Sequence, residues 1–384
     1  MSSNALILSG GGARASYQVG VLMALSDILP DLHNPFPIIC GTSAGAINAA
    51  ALAAHRGSFG ASVRDLASTW STLEIENVFK AGWLPLIGGA SKIVASLFNE
   101  GIGKEKPLAL LDNSPLRDFL SGIISFDNIQ HRIDAGDLDA LCITALGYSS
   151  GDSVSFFQGN QRLRGWRRYR RVGTPTQITV DHLMASSAIP TVFPTVHLNQ
   201  EYFGDGAMRQ MAPISSALHL GADRVFIIGV SGNRSPNSFR GKKVVRTKHS
   251  PSMAQILGHM LNSAFIDSLE GDIEHLERVN ELLKHADPNR TGSTQFLRPV
   301  DTLIISPSKA LDKIAGRRVR NLPQSLRFFM RNIGATAHGG GSAAASYLLF
   351  AKEYCNELLE LGYQDAMWER ASIEDFFAGE KPKP

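Results

Sequence analysis

Three short stretches of this chain hold residues whose type and spacing could do chemistry. Gly41-Thr42-Ser43-Ala44-Gly45 lies between an apolar run, Phe36 to Cys40, and an alanine-rich run, Ala44 to His55. That pattern predicts a buried strand, a tight turn and a helix, with Ser43 at the bend. A serine there is held out of the sheet by a strained turn that needs glycine on both sides, here Gly41 and Gly45. It also sits at a helix N-terminus, where free N–H groups and the dipole favour developing negative charge. A short glycine-serine turn can equally be structural, so a nucleophile reading requires a base and an oxyanion site elsewhere in the chain.

The second stretch is Gly10-Gly11-Gly12-Ala13-Arg14-Ala15. Consecutive glycines permit positive φ and leave bare N–H groups facing one point, a cradle for an anion. The anion is either a dinucleotide pyrophosphate or a tetrahedral oxyanion. The spacing satisfies G-x-G-x-x-G/A with Ala15 last, but a dinucleotide site wants an acid at the end of the second strand. That place holds Cys40-Gly41-Thr42-Ser43 instead, which favours the oxyanion.

The third stretch concerns the base. Eleven histidines are available, yet none lies in a strand-end glycine turn. His182, His197 and His219 read as structural or surface residues. His338-Gly339-Gly340-Gly341 imitates the oxyanion motif of some lipases, but it follows the serine by nearly the whole chain and reads as a turn. Asp205, between Gly204 and Gly206, has the same close-backbone setting as Ser43. An aspartate touching a serine can serve as base without histidine if burial lifts its intrinsic pKa of about 3.9. By itself Asp-Gly is simply a turn.

These residues need elements to hold them. Ala5 to Leu8 reads as a strand, Ser16 to Leu29 as a helix and Phe36 to Cys40 as the next strand, a βαβ start and hence a parallel sheet. Ala46, Ala49, Ala50 and Ala53 give the helix after Ser43 a face small enough to lie close on that sheet. Trp83 to Gly89 is apolar and broken by glycine and proline, with Ile93, Val94, Leu97 and Phe98 following at helical spacing. It is either a helix covering the core edge or a mobile flap over the site that touches lipid. Ser114-Pro115 starts a helix with serine as N-cap. Strands are expected at Ala140 to Leu146 and Ser153 to Phe157, a helix at Ile178 to Met184, a hairpin around Asn199-Gln200, and a buried strand at Arg224 to Val230. Asn233 to Ser252 is basic and reads as a loop. Further on, a long helix from Met253 to His285, a strand from Thr302 to Ile305, and helices over Leu322 to Ile333 and Ser342 to Leu361 are expected.

Composition narrows the classes. With 384 residues, 43% hydrophobic and 19% charged, the chain suits one large α/β domain or two smaller ones. A formal charge of +3 is too weak to imply nucleic acid. Basic function would have to be local, as in Arg162 to Arg171, where six arginines flank Trp166 and Tyr169. That cluster is a solvated loop, a phosphate contact at a membrane through residues such as Arg167 and Arg168, or a nucleic-acid site. Cys40, Cys142 and Cys355 read as reduced core residues of a cytosolic protein. The N-terminus has no basic n-region, so a secretory signal is not expected, and no stretch reaches the roughly 18 apolar residues of a spanning helix.

Together the blocks resemble the patatin-like phospholipase family. Gly10-Gly11-Gly12-Ala13-Arg14 is similar to its oxyanion block, Gly41-Thr42-Ser43-Ala44-Gly45 to its nucleophile turn, Asp205-Gly206-Ala207 to its aspartate block, and Ala185 to Pro190 to the helix-ending block before that. Their order and spacing fit over about residues 4 to 230. One departure is Ala15, where the family usually has glycine. The resemblance implies a three-layer α/β/α sandwich with a mostly parallel central sheet, a catalytic domain over 4–310 and a helical C-terminal extension over 311–384 packed on the same body. It implies a serine–aspartate lipid acyl hydrolase of the phospholipase A or lysophospholipase type, bacterial in kind. Ser43 and Asp205 would be catalytic, the N–H groups of Gly10, Gly11 and Gly12 would hold the oxyanion, and no metal or cofactor would be needed. Arg14 would either orient the glycine loop or meet a phosphate. The partners expected are a phospholipid or other acyl-ester lipid and a membrane surface, without nucleic acid, for a protein that is cytoplasmic or peripheral to the membrane. An acyltransferase or thioesterase with the same dyad, a non-catalytic lipid binder, and a nucleic-acid binder through Arg162 to Arg171 are the competing classes.

Overall fold

Period-two alternation in the apolar runs builds a sheet buried on both faces. In β1 (Asn4–Leu8) Leu6 and Leu8 enter one core while Ala5 and Ile7 enter the other; in β2 (Ile38–Thr42) Ile39 opposes Ile38 and Cys40 in the same way. The computed structural model describes residues 3–96, 107–210, 212–230, 250, 252–264, 268–285, 298–332 and 342–378. Leu97 and Phe98, the basic stretch 233–249, and His338 to Gly341 lie outside the described residues.

Helix α1 (Ser16–Ile28) joins the first two strands, and α2 (Ala44–Ala54), α3 (Phe59–Thr72), α4 (Trp83–Ser96), α5 (Ser114–Ile123) and α6 (Asp127–Ala135) lead on to β3 (Ala140–Gly147). Next come β4 (Ser153–Gly159), β5 (Trp166–Arg168), β6 (Arg171–Pro175), α7 (Val180–Ser186), β7 (Val196–Leu198), β8 (Glu201–Asp205), α8 (Pro213–His219) and β9 (Arg224–Ile228). The chain then gives α9 (Met253–Asn262), α10 (Ser268–Lys284), β10 (Asp301–Ile305), α11 (Leu311–Arg318), α12 (Gln324–Asn332), α13 (Ser342–Leu348), α14 (Lys352–Trp368) and α15 (Arg370–Ala378).

The strand order is β10-β9-β1-β2-β3-β4-β6-β5, parallel from β10 through β3. Beyond β3 the pairing turns mixed: β4 is antiparallel to β3, β6 parallel to β4 and β5 antiparallel to β6. α1, α2, α3 and α14 cover one face, and α8 with α10 the other, so the fold is a three-layer α/β/α sandwich. α14 lies directly on α1: a Cβ at Gly20 would come 2.0 Å from Leu359 O, and one at Gly362 2.1 Å from Tyr17 O. Tyr354, Cys355 and Leu358 are fully buried there, so helices beyond residue 310 complete this core. Among the described residues no helix is long and apolar enough to cross a membrane.

Some expectations are corrected. Of the two readings of Trp83 to Gly89 the helix holds despite its glycines and proline: the stretch is the first half of α4, where the missing Cβ of Gly89 lets the helix lie against Leu110 O. Asn113, not Ser114, holds the N-cap position of α5. Arg162 to Arg171 is only in part a loop: Trp166–Arg168 and Arg171 belong to a hairpin of β5 and β6 at the sheet edge, with Trp166 stacked between Phe157 and His219, while 162–165 and 169–170 are irregular or turn. Arginines on such an edge discourage pairing with another sheet. Ser342 to Leu361 is two helices, because Leu349, Phe350 and Ala351 turn inward and are buried. α11 is a helix that the sequence reading does not contain; the stretch expected as a helix from Met253 to His285 is helical over α9 and α10, and 265–267 lie outside the described residues.

Candidate active site

Ser43 is a non-glycine residue at φ 55°, ψ −129°, directly after β2 and capping α2. Such backbone costs on the order of 1–3 kcal/mol and persists only where the surroundings enforce it. The enforcement is steric and polar. A Cβ at Gly45 would lie 2.3 Å from Leu8 O, and one at Gly41 2.5 Å from Gly45 O, so both turn glycines are required by close backbone approach. The Ser43 N–H donates to Ser186 Oγ at 2.8 Å, and Ser186 in turn donates to Thr144 O at 2.6 Å. α7 and β3 therefore hold the bend from the side.

The same strand β3 delivers the aspartate. Its residues 140 to 144 pair with β2, ending at Thr42 opposite Thr144; one step further, Ala145 pairs with Asp205 at the end of antiparallel β8. Asp205 thus lies beside the serine bend because β8 takes the place on β3 that β2 vacates. Ser43 Oγ donates to Asp205 Oδ2 at 2.6 Å, and Oδ1 accepts from the Ala207 N–H at 2.9 Å. Asp205 is wholly buried, and that desolvation pushes its carboxyl up to about 7 against the two hydrogen bonds, which favour the ionised form.

Gly10, Gly11 and Gly12 connect β1 to the short turn before α1. Gly12 has φ 55°, and a Cβ there would lie 2.2 Å from Tyr347 O. Gly12 and Ser43 line one cavity. Arg14 follows the glycines but is only 3% exposed: its Nε donates to Ser346 Oγ at 2.8 Å and its guanidinium lies 4.1 Å over the Tyr347 ring. The expected contact of Arg14 with substrate or membrane is corrected on that ground; the side chain ties the glycine loop to α13. Arg167 and Arg168 are exposed on β5, four strand positions from β2, or about 19 Å at ordinary strand spacing. The structure does not bring them to Ser43.

The cavity has a volume of about 50 Å³ and is walled by Ile47 and Ala51 of α2, Leu66 and Trp70 of α3, Leu116 and Leu120 of α5, Phe193 and Phe350. Phe350 reaches it through the break between α13 and α14 and stacks on Trp70. Asn48 ties the surrounding helices together: Nδ2 donates to Ala15 O and Gln18 Oε1, and Oδ1 accepts from Trp70 Nε1. Ser186, with the cavity-lining Ser187 and Ile189, lies in the block Ala185 to Pro190, but the sequence assigns it no role, and Asn48 and the helical walls of the cavity look there like any buried helix face. Of the histidines, His182 caps α7 with Thr179 and lies edge-on to Phe156, while His219 stacks on Trp166.

A serine on a strained strand-to-helix bend, a glycine loop on the neighbouring strand and a buried aspartate, on a mostly parallel sheet between helical layers, define a patatin-type site. The chain belongs to the patatin-like phospholipase family, whose model matches residues 6–218. It is 26% identical over 217 residues to a cGAMP-activated phospholipase of Escherichia coli (strain TW11681), a match covering 53% of this chain and 51% of the relative. The chain thus spans about half the length of that curated relative. The crystal structure of VipD from Legionella pneumophila overlaps 97% of this chain and 67% of its own, at 11% identity and a TM-score of 0.36.

Proposed function

We propose that the protein is a lipid acyl hydrolase of the phospholipase A or lysophospholipase type, with Ser43 as nucleophile and Asp205 as base. The observation that carries this reading is the 2.6 Å contact from Ser43 Oγ to a wholly buried carboxylate, at the wall of an apolar cavity. Ionised Asp205 takes the Ser43 proton through Oδ2 as Oγ attacks the ester carbonyl. A carboxyl poised at about 7 suits both halves of the cycle, since it accepts a proton at neutral pH and returns it to the departing alcohol. The acyl-enzyme is then hydrolysed by a water that gives its proton to the same carboxylate, which returns it to Ser43.

Negative charge develops on the carbonyl oxygen. Because the Ser43 N–H is directed to Ser186, the donors come from the glycine loop, Gly10 to Gly12, aided by the N-terminal end of α2. One such donor is worth about 100- to 1000-fold in rate. The acyl chain lies along the cavity, each methylene buried there contributing about 0.8 kcal/mol.

The test is an ester-cleavage panel of phospholipids, lysolipids and triglycerides, with Ser43→Ala as the blank. Fatty acid released from phospholipid or lysolipid by the wild type alone supports the reading; no release from any member of the panel rejects it. Adding glycerol reads transfer in place of hydrolysis, and adding cGAMP reads whether the activation named for the Escherichia coli relative extends to this chain.

A further inference from the structure

Helix α4 exposes Trp83 (46%), Leu84 (86%) and Ile87 (59%), and α12 exposes Phe328 (58%). The Trp83 and Phe328 rings meet with centroids 5.4 Å apart, and Ser325 Oγ of α12 donates to Ala81 O just before α4. The two helices therefore form one ridge. Leu86, Leu326 and Met330 on their opposite faces are buried, which fixes the exposed set outward. Contiguous apolar surface of this kind marks an interaction site, and the surrounding charge tells what it meets.

Neither α4 nor α12 contains an acid, while they carry Lys92, Arg327 and Arg331. Arg320 adjoins them, its carbonyl accepting from Arg327 Nη1. Lys92, Arg320 and Arg331 are exposed. Two acids of neighbouring segments are paired: Asp112 with Lys80 at 2.7 Å, and Glu357 with Arg317 at 2.7 Å and Arg318 at 3.0 Å. Glu353 accepts from Asn321 and faces Arg318. The ridge also stands beside the cavity. Val78 lines the cavity wall, and the five residues from there to Trp83 span at most about 17 Å. Ile123, which lines the same cavity, is 44% exposed, so the wall reaches solvent there.

We propose that this ridge docks the protein on the headgroup–acyl boundary of an anionic phospholipid bilayer. Trp83, Leu84, Ile87 and Phe328 enter the boundary, and Lys92, Arg320 and Arg331 meet the lipid phosphates. Tryptophan favours that depth, and each cation near an anionic leaflet is worth about fivefold in partition. The proposal deepens the lipid hydrolase reading by naming the surface that brings the site to its substrate, but its test needs no turnover.

The test is co-sedimentation of Ser43→Ala protein with vesicles of ether-linked phosphatidylglycerol and phosphatidylcholine in equal parts. Leu84→Ser/Ile87→Ser and Phe328→Ser, each with an unchanged melting temperature, are expected to lower the partition constant by roughly tenfold or more. Lys92→Gln/Arg331→Gln is expected to lower it on these vesicles and to have no effect on phosphatidylcholine alone. Unchanged partition in the apolar variants overturns the proposal, as does a loss seen only with Arg167→Gln/Arg168→Gln at the sheet edge. Because Ser43→Ala carries the measurement, failure of the hydrolase reading shows in the ester panel and not here.

Discussion

Asp205 Oδ2 accepts a 2.6 Å hydrogen bond from Ser43 Oγ although the two residues are separated by 162 positions in the chain. One strand brings them together: Thr42 pairs with Thr144 and Asp205 with Ala145, so adjacent residues of β3 set the separation of the two functional groups. The geometry thus depends on sheet register, which slips only in whole residues and would turn Asp205 to the other face if it did.

The buried carboxyl makes stability depend on pH with a definite sign. Asp205 titrates at about 7 in the folded protein and at its ordinary 3.8 when exposed. Between those values the folded protein keeps a proton that the unfolded chain has released, so stability falls as pH rises from about 4 to about 7 and levels off above. Asp205→Asn has no such slope. Thermal melts should show its advantage over wild type growing across that window; a gap independent of pH contradicts the burial argument.

The proposed role of the same group as base gives activity a pH dependence. With Asp205 as base, kcat/KM for a soluble ester should rise with pH through an apparent pKa of about 7, as the carboxyl ionises in the free enzyme. A profile flat across that range would place the base elsewhere.

Ser186 is a positioning residue for the bend. Ser186→Ala leaves the Ser43 N–H without its acceptor in a buried place, at a cost of about 1–3 kcal/mol in urea unfolding. Since the bend sets the aim of Ser43 Oγ, kcat should fall with KM little changed. An unchanged kcat would mean that the bend is held by its glycines alone.

Ala51 lines the cavity midway along α2. Ala51→Phe fills part of that space, so hydrolysis of long-chain esters should drop by roughly 10- to 200-fold relative to short-chain ones. Equal loss for all chain lengths would show that the acyl chain does not occupy this cavity.

Much of this site is legible in the sequence, for physical reasons that differ by residue. Ser43, the glycine loop and Asp205 are each ambiguous alone, since glycine turns are common, and become legible by their order and company: a bend packed against backbone tolerates only glycine around it, and an acid between two glycines repeats that setting. The companion features are silent. Ser186 lies in the block Ala185 to Pro190, but nothing local tells that its hydroxyl takes the Ser43 N–H. The cavity walls at Leu66, Trp70 and Leu120 have the same spacing as core residues. Phe350 reaches the cavity through a helix break inside the apolar run Tyr347 to Ala351, which has no glycine or proline to signal it. Within 162–171 the charge masks the short strand segments at Trp166–Arg168 and Arg171, and the sequence leaves Arg14 open between orienting the glycine loop and meeting a phosphate because its partners Ser346 and Tyr347 lie over 330 residues away.

The central claim is that Ser43 is the nucleophile and that Asp205 activates it. Intact-protein mass spectrometry with an alkyl fluorophosphonate tests this directly. The account predicts a single adduct on Ser43, absent from Ser43→Ala, and formed at least about 100-fold more slowly in folded Asp205→Asn. An adduct on another residue, or labelling of Ser43 at the wild-type rate in Asp205→Asn, would contradict it.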